Sequence, residues 1–291
     1  MTSSYFNGGR MLTGEAQYIS ACEQFKKGQY KKSFLSLISI SNKYSNDLNF
    51  LRILSEVQMA LKDHSAQIKT LKALSEISHL VDDRIKYMNA LLMQNELEQS
   101  KQVACTLLGK ELSDMQQQLV LKNLIRVYTL QTNFEELGRI CEKFDALGFE
   151  DAEVNYSRAL MAASRSEIDQ AISYLRKAVQ LDPTFDTGWA ALALHHYQKG
   201  DAELAKGNLE KALDLNPYNT SALKFLTQWT DDKSQDLQTS LEKVNYHLQS
   251  FNFDEELTEC HAKLLIKMGR SDLAHLEMNK LTYYFGKQPA L

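Results

Sequence analysis

One pattern is written twice in this chain at a fixed interval. Ala171, Leu175, Ala178 and Pro183 return as Ala205, Leu209, Ala212 and Pro217, every member 34 residues later. The phrases AISYLRKAVQLDP and LAKGNLEKALDLNP are almost superimposable. Spacings of four and three put the Ala, Leu and Ala of each copy on one face of a helix. The proline then ends that helix, because it cannot supply an in-helix donor and clashes with the preceding turn. A period of this length is the mark of an array, in which each unit is a supersecondary element too thin to bury its own apolar face.

Between the copies lie Trp189-x2-Leu192-Ala193-x2-His196 and then Gly200-Asp201. With these residues the stretch resembles the tetratricopeptide repeat, a helix–turn–helix unit with a 34-residue period and a W-x2-L-G-x2-Y…A-x3-F…P signature. Ala193 stands where the signature has glycine. His196 stands where it has tyrosine, with Tyr197 one place later. Alanine still permits close helix packing, so neither departure breaks the pattern. The resemblance implies an all-α fold, a right-handed α-solenoid of about seven to eight helical hairpins, and a function in binding other proteins.

Further hairpins are expected wherever a helix break recurs. Breaks fall at Gly28-Gln29-Tyr30, Lys62-Asp63-His64, Asn95-Glu96-Leu97, Thr132-Asn133-Phe134, Arg165-Ser166, Gly200-Asp201 and Gly269-Arg270-Ser271-Asp272. In the fourth unit Leu121, Leu124 and Tyr128 occupy the signature leucine and aromatic places. The register of units two to four is open by a residue or two. The expected organisation is a flexible leader over 1–14 and a superhelix over 15–291. Its clearest repeats span 152–218, an irregular repeat spans 219–252, and a last hairpin spans 253–285. In the irregular unit Asp231-Asp232-Lys233-Ser234 reads as an enlarged turn, with Asp232 or Ser234 as candidate cap of the next helix. The alternative there is a break in the array, leaving the C-terminal part as a docked cap.

Composition agrees with helices. Only 3 prolines and 12 glycines occur in 291 residues, and strong helix formers dominate. A net charge of −4 gives no reason to expect nucleic acid, which calls for a concentrated basic surface. Cys22, Cys105, Cys141 and Cys260 are scattered without a CxxC pair, so a zinc knuckle or disulfide framework is not expected. Reduced thiols buried between helices are expected instead. No run of apolar residues reaches the length of a membrane span, and the N-terminus shows no secretory signal. The expected location is therefore the cytoplasm.

Catalytic and metal motifs are missing from the sequence: H-E-x-x-H, G-x-x-x-x-G-K-[ST] and G-x-S-x-G do not occur. His195 and His196 are neighbours on a helix and point different ways, so His196 reads as a packing residue rather than a ligand. Cys260-His261 is a neighbouring pair of the same kind. The expectation is a non-enzymatic protein without cofactor or metal.

The family resemblance implies that the first helix of each hairpin lines a concave groove. Its inward positions here are Tyr18, Cys22 and Phe25; Arg52, Glu56 and Met59; Ile85, Asn89 and Leu92; and Lys122, Arg126 and Thr129. They continue as Tyr156, Leu160 and Ala163; Ala190, Leu194 and Tyr197; and Lys224 and Gln228. Aromatic and aliphatic anchors beside a few cations suit an amphipathic helix or an extended peptide. Arg52, Lys122, Arg126 and Lys224 hint at an acidic partner segment. Repeats that hold the acidic tails of heat-shock chaperones carry Lys and Asn on consecutive first helices. Tyr156 with Leu160 and Ala190 with Leu194 stand there instead and cannot donate to a carboxylate. The expected function is a scaffold or adaptor with a protein or peptide partner in the groove. The alternatives are a homodimer or structural subunit, with the groove filled by the tail from Phe285 to Leu291, or a secretion-type chaperone for a client protein.

Overall fold

The computed structural model describes residues 14–229, 236–250 and 254–286. The expected leader, the turn at 231–234 with its candidate caps, Phe253 and the tail beyond Gly286 lie outside these residues. Among the described residues every regular element is a helix, sixteen in all. The chain divides into two compact units, 1–149 and 150–291.

The first unit holds α1 (Gly14–Lys26), α2 (Tyr30–Ile40), α3 (Leu48–Ala60), α4 (His64–Ile77), α5 (Val81–Met93), α6 (Leu97–Leu108), α7 (Asp114–Leu130) and α8 (Phe134–Asp145). The second holds α9 (Ala152–Ser164), α10 (Ile168–Leu181), α11 (Asp186–Lys199), α12 (Ala202–Leu215), α13 (Thr220–Trp229), α14 (Asp236–Ser250), α15 (Glu255–Lys267) and α16 (Ser271–Phe285). Odd-numbered helices are the first (A) and even-numbered helices the second (B) of each hairpin. Within each unit a hairpin packs on the next, so each hairpin buries its apolar face against its neighbours.

The turn between A and B helices has one construction in the seven hairpins whose turn lies among the described residues. Gly28, Lys62, Asn95, Thr132, Ser166, Gly200 and Gly269 all take positive φ, between 53° and 90°. The amide after each reaches back five residues to the A helix: Gln29 to Gln24, Asp63 to Gln58, Glu96 to Leu91, Asn133 to Tyr128, Glu167 to Ala162, Asp201 to His196 and Arg270 to Leu265. Each of these bonds is 2.9–3.0 Å long. This is the Schellman closure, which satisfies the last carbonyls of one helix while turning the chain into the next. The register of units two to four follows from it, because Lys62, Asn95 and Thr132 are equivalent to Gly28 and Gly200.

Counting from that turn places the same core everywhere. Seven residues before it stand Ala21, Ser55, Met88, Ile125, Ala159, Ala193 and Ala262, all buried. Five residues after it stand Ser33, Ser100, Leu137, Ala171, Ala205 and Ala274, each 0% exposed, with Gln67 the half-buried exception. These two sites, 12 residues apart, face each other across the hairpin. Where both are alanine, the helices meet at close range. Where the second is serine, its hydroxyl donates to the facing carbonyl: Ser33 to Ala21 at 2.8 Å and Ser100 to Met88 at 2.9 Å. A buried hydroxyl is thereby satisfied without widening the joint.

Helices of both kinds can be capped by a side chain. Asp47, Ser113, Asp151, Asn219 and Asp254 cap A helices by accepting backbone N–H bonds, Ser113 as a full capping box with Gln116, and Asp63 and Asn133 cap the B helices α4 and α8 in the same way. The B helices α2, α6, α10, α12 and α16 and the A helices α5 and α11 have no such side-chain cap. Pro183 and Pro217 stand two residues beyond the last residues of α10 and α12.

Cys141 and Cys260 are buried as expected, but Cys22 is half-buried and Cys105 exposed. Cys105 corrects the reading of four buried thiols: it sits one place beyond the buried Ala104, on the outer side of α6.

Candidate functional site

On each A helix the positions three before, one after and four after the buried small site form a single stripe, since they are spaced by four and three. It contains every residue expected to line a groove, and the structure shows how differently these residues are used.

In the first unit much of the stripe is committed to its neighbours. Arg52 on α3 makes a bidentate pair with Asp83 on α5, Nε to Oδ1 at 3.1 Å and Nη2 to Oδ2 at 2.7 Å. Ser78 donates to the same carboxylate at 2.5 Å. Burial alone would raise the Asp83 pKa, but the hydrogen bonds from Arg52 and Ser78 outweigh it and hold the carboxyl below its ordinary range. Arg52 is accordingly a strut between A helices and not a cation offered to a ligand. Lys86 lies 3.4 Å from Glu56, Gln116 donates to Asp82 at 2.7 Å, and Asn123 donates to Asn89 at 3.2 Å. Each bond ties one A helix to the next.

Among the apolar members, Ile85 and Leu92 are buried, whereas Met59 is exposed. Tyr18, Cys22 and Phe25 on α1 are half-buried. Tyr18 stacks on Tyr44 with centroids 6.1 Å apart. Burial, with Cys22 and Asp47 adding to it, raises its phenol to about 12. On α7 Lys122 and Thr129 are half-buried and Arg126 exposed. The structure adds Met93 and Leu130, both exposed and each one place beyond the expected stripe.

The second unit keeps a more open apolar stripe. Tyr156, Leu160 and Ala163 are half-buried on α9. On α11 Leu194 and Tyr197 are 39% and 45% exposed. Ala190 is 6% exposed and joins the core, so it is a spacer beneath the surface. Tyr156 meets Phe185 edge-on at 5.5 Å, and burial raises its hydroxyl pKa. A Cβ on Gly188 would lie 2.8 Å from the Phe185 ring, so only glycine lets that ring lie there. Tyr197 contacts Phe225 edge-on at 5.4 Å and Trp229 at 5.5 Å, giving an aromatic trio across α11 and α13. Phe225 and Trp229 were missed from sequence because they flank the stripe instead of sitting on it. Gln228 is exposed, and Lys224 is paired with Glu256 on α15. On α15 the stripe continues as Glu259, Lys263 and the exposed Ile266, with Lys263 bonded to Glu259 at 2.6 Å.

His196 is buried, with Nδ1 3.3 Å from Asp201 and Nε2 3.5 Å from Arg176. It borders a cleft of about 420 Å³ lined also by Asp169, Lys177 and Lys199. The charges there are matched, Lys199 by Asp169 at 2.6 Å and Lys177 by Glu150. Packing and pairing account for this histidine. No group of three or more metal-ligating side chains occurs among the described residues. No described helix is long and apolar enough to cross a membrane.

Comparison with known proteins agrees with the repeat. Residues 152–185 and 187–219 match the tetratricopeptide repeat family. No curated protein matches the sequence. Among solved structures, a chain of the APC/C hetero-tetramer Cut9-Hcn1 superimposes with a TM-score of 0.63 at 12% identity, over 86% of this chain and 49% of that one. This chain thus spans about half of that relative's length. A tetratricopeptide repeat protein from Parabacteroides merdae gives 0.57 at 14% identity, over 93% and 92% of the two chains. Pseudomonas aeruginosa pilF gives 0.56 at 18%, over 71% and 93%. These likenesses are of fold. Residues 152–219 thus carry two tetratricopeptide repeats, a module that serves generally as a protein-interaction scaffold.

Proposed function

We propose that this tetratricopeptide-repeat chain is a non-enzymatic scaffold that seats a partner peptide on the A-helix stripe of its second unit. Leu194 and Tyr197 are the anchors. The observation that carries the proposal is their exposure beside the Phe225 and Trp229 rings, on a helix whose other apolar residues are buried or half-buried. Large apolar side chains at the centre of an amphipathic surface are where binding energy concentrates in peptide-docking sites.

Charge refines the partner. Arg52 and Lys224, two of the four cations that hinted at an acidic segment, are matched by Asp83 and Glu256. The partner favoured here is an amphipathic segment with two apolar anchors about one or two helical turns apart, and not a polyacidic one. The A stripe of the first unit, tied together by Arg52, Asp83, Asn89 and Asn123, serves in this reading to hold its helices in register.

The test replaces Leu194 and Tyr197 with Glu together. Proteins recovered from native-host extract are compared with those on the wild type, and the affinity of the recovered segment is then measured by calorimetry. Truncation of central anchors costs about 2 kcal/mol or more each, roughly thirtyfold in affinity. Unchanged affinity with unchanged helicity refutes the proposal.

A further inference from the structure

Helix α16 carries large apolar side chains on the side away from α15. Its inner side buries Ala274, Met278 and Leu281 against α15. Its outer side exposes Leu273, Leu276 (58%) and Tyr283 (82%) in a row flanked by Asp272, Asn279 and Lys280. Residues 272, 276, 280 and 283 fall at helical spacing along one face, with Leu276 at its centre.

From this face we infer that α16 docks on α16 of a second copy, antiparallel, about a twofold axis through Leu276. The order of charges selects both partner and register. Asp272 stands one turn before Leu276 and Lys280 one turn after it, so the twofold sets Asp272 of each copy opposite Lys280 of the other. Two identical ion pairs then bracket a Leu276–Leu276 contact, as an isologous interface requires. The same register sets Asn279 opposite Leu273. A register moved by one turn would set Lys280 against Leu276 and lose both ion pairs. Within one chain, Lys280 donates to the largely buried Glu277 at 2.8 Å, and its ammonium, itself more than half exposed, keeps further N–H donors for Asp272 of the partner. This surface lies on the outer side of a B helix and is separate from the stripe proposed for peptide binding.

Sedimentation velocity on the full chain, from about 1 to 100 µM, tests the inference. The wild type is expected to pass from monomer to dimer in that range. Leu276→Glu is expected to stay monomeric, because it sets two carboxylates against each other. Asp272→Lys is expected to weaken association by about tenfold or more, and D272K/K280E to restore most of it by reversing both pairs. A merely structural role for Asp272 would not produce that rescue. A wild type monomeric throughout overturns the inference, and so does a dimer indifferent to Leu276→Glu. If deletion of residues 287–291 turns a monomeric wild type into a dimer, the occupant is the chain's own tail and the inference fails.

Discussion

Thr132→Gly should stabilise the protein. Thr132 occupies the αL turn between α7 and α8 with φ 53°. Glycine or asparagine commonly fills such a place. A residue with a Cβ gives up about 1–2 kcal/mol to stand there, and a β-branched one gains no relief. Replacement by glycine removes that cost and adds about 0.5–1 kcal/mol of unfolded-state freedom. The side chain is exposed, and its one hydrogen bond runs to the adjacent Gln131 carbonyl at 2.7 Å in solvent, so little else is lost. The backbone bonds of the turn, Thr132 to Thr129 at 3.1 Å and Asn133 to Tyr128 at 2.9 Å, persist in the variant. The difference favours glycine by about 0.5–1 kcal/mol, a rise in Tm of about 2–4 °C for a unit of this size. Calorimetric or fluorimetric melting reads this directly. Two controls fix the cause. Gln102→Gly, at an exposed place inside α6, should cost about 1 kcal/mol. Gly200→Thr, at φ 90°, should lose at least what Thr132→Gly gains. A Tm that is unchanged or lowered in Thr132→Gly, or a Gly200→Thr variant as stable as the wild type, refutes the account of the turn.

Other outcomes follow from the joints between helices. Ser100→Ala should cost about 1 kcal/mol in urea unfolding, because Met88 keeps a buried carbonyl without its donor, while Ala171→Leu at the equivalent place should cost about 1–3 kcal/mol by forcing the hairpin apart. Asp83→Asn should lower stability by about 2 kcal/mol at neutral pH, since Arg52 is left without its counter-charge. Asp83 has a folded pKa below its unfolded value of about 3.9, so its contribution is complete above that value and is lost as pH falls through the depressed one. The urea midpoints of wild type and Asp83→Asn should therefore converge on acidification below pH ~4, and a constant gap down to pH ~2 would disprove the pairing.

The sequence carried the fold most clearly where the repeat uses its commonest residues. Ala159 with Ala171 and Ala193 with Ala205 are pairs of one residue type, and Pro183 and Pro217 mark helix ends, so the period shows by inspection. The same geometry over 48–145 is built from other residues. The facing pair becomes Met88 with Ser100 and Ile125 with Leu137, and the αL turn is held by Lys62, Asn95 and Thr132. A left-handed turn and a satisfied buried serine are facts about backbone angles and partners, which residue identity reveals only when the residue is glycine or alanine. The break points were visible, but their registration to one another became visible only through φ.

The candidate site shows a different limit. Counting along the A helices picks out one face of each, yet residues on one face differ in how they are engaged. Arg52 reads in sequence as a cation on offer, but it is fixed by Asp83, which stands 31 residues away on the next A helix. Ala190 and Leu194 share a stripe, but the shorter side chain sinks into the core and only the longer one reaches the surface. Burial and pairing depend on the neighbouring repeat, and each repeat has a different neighbour. The structural positions, whose partners lie in the same hairpin, can therefore be read from one repeat at a time. The positions proposed for binding can be read only from two adjacent repeats together, since Tyr197 on α11 meets Phe225 and Trp229 on α13. Selection for a ligand could thus alter the stripe repeat by repeat while the turn and the facing small pair hold the hairpins to a common geometry.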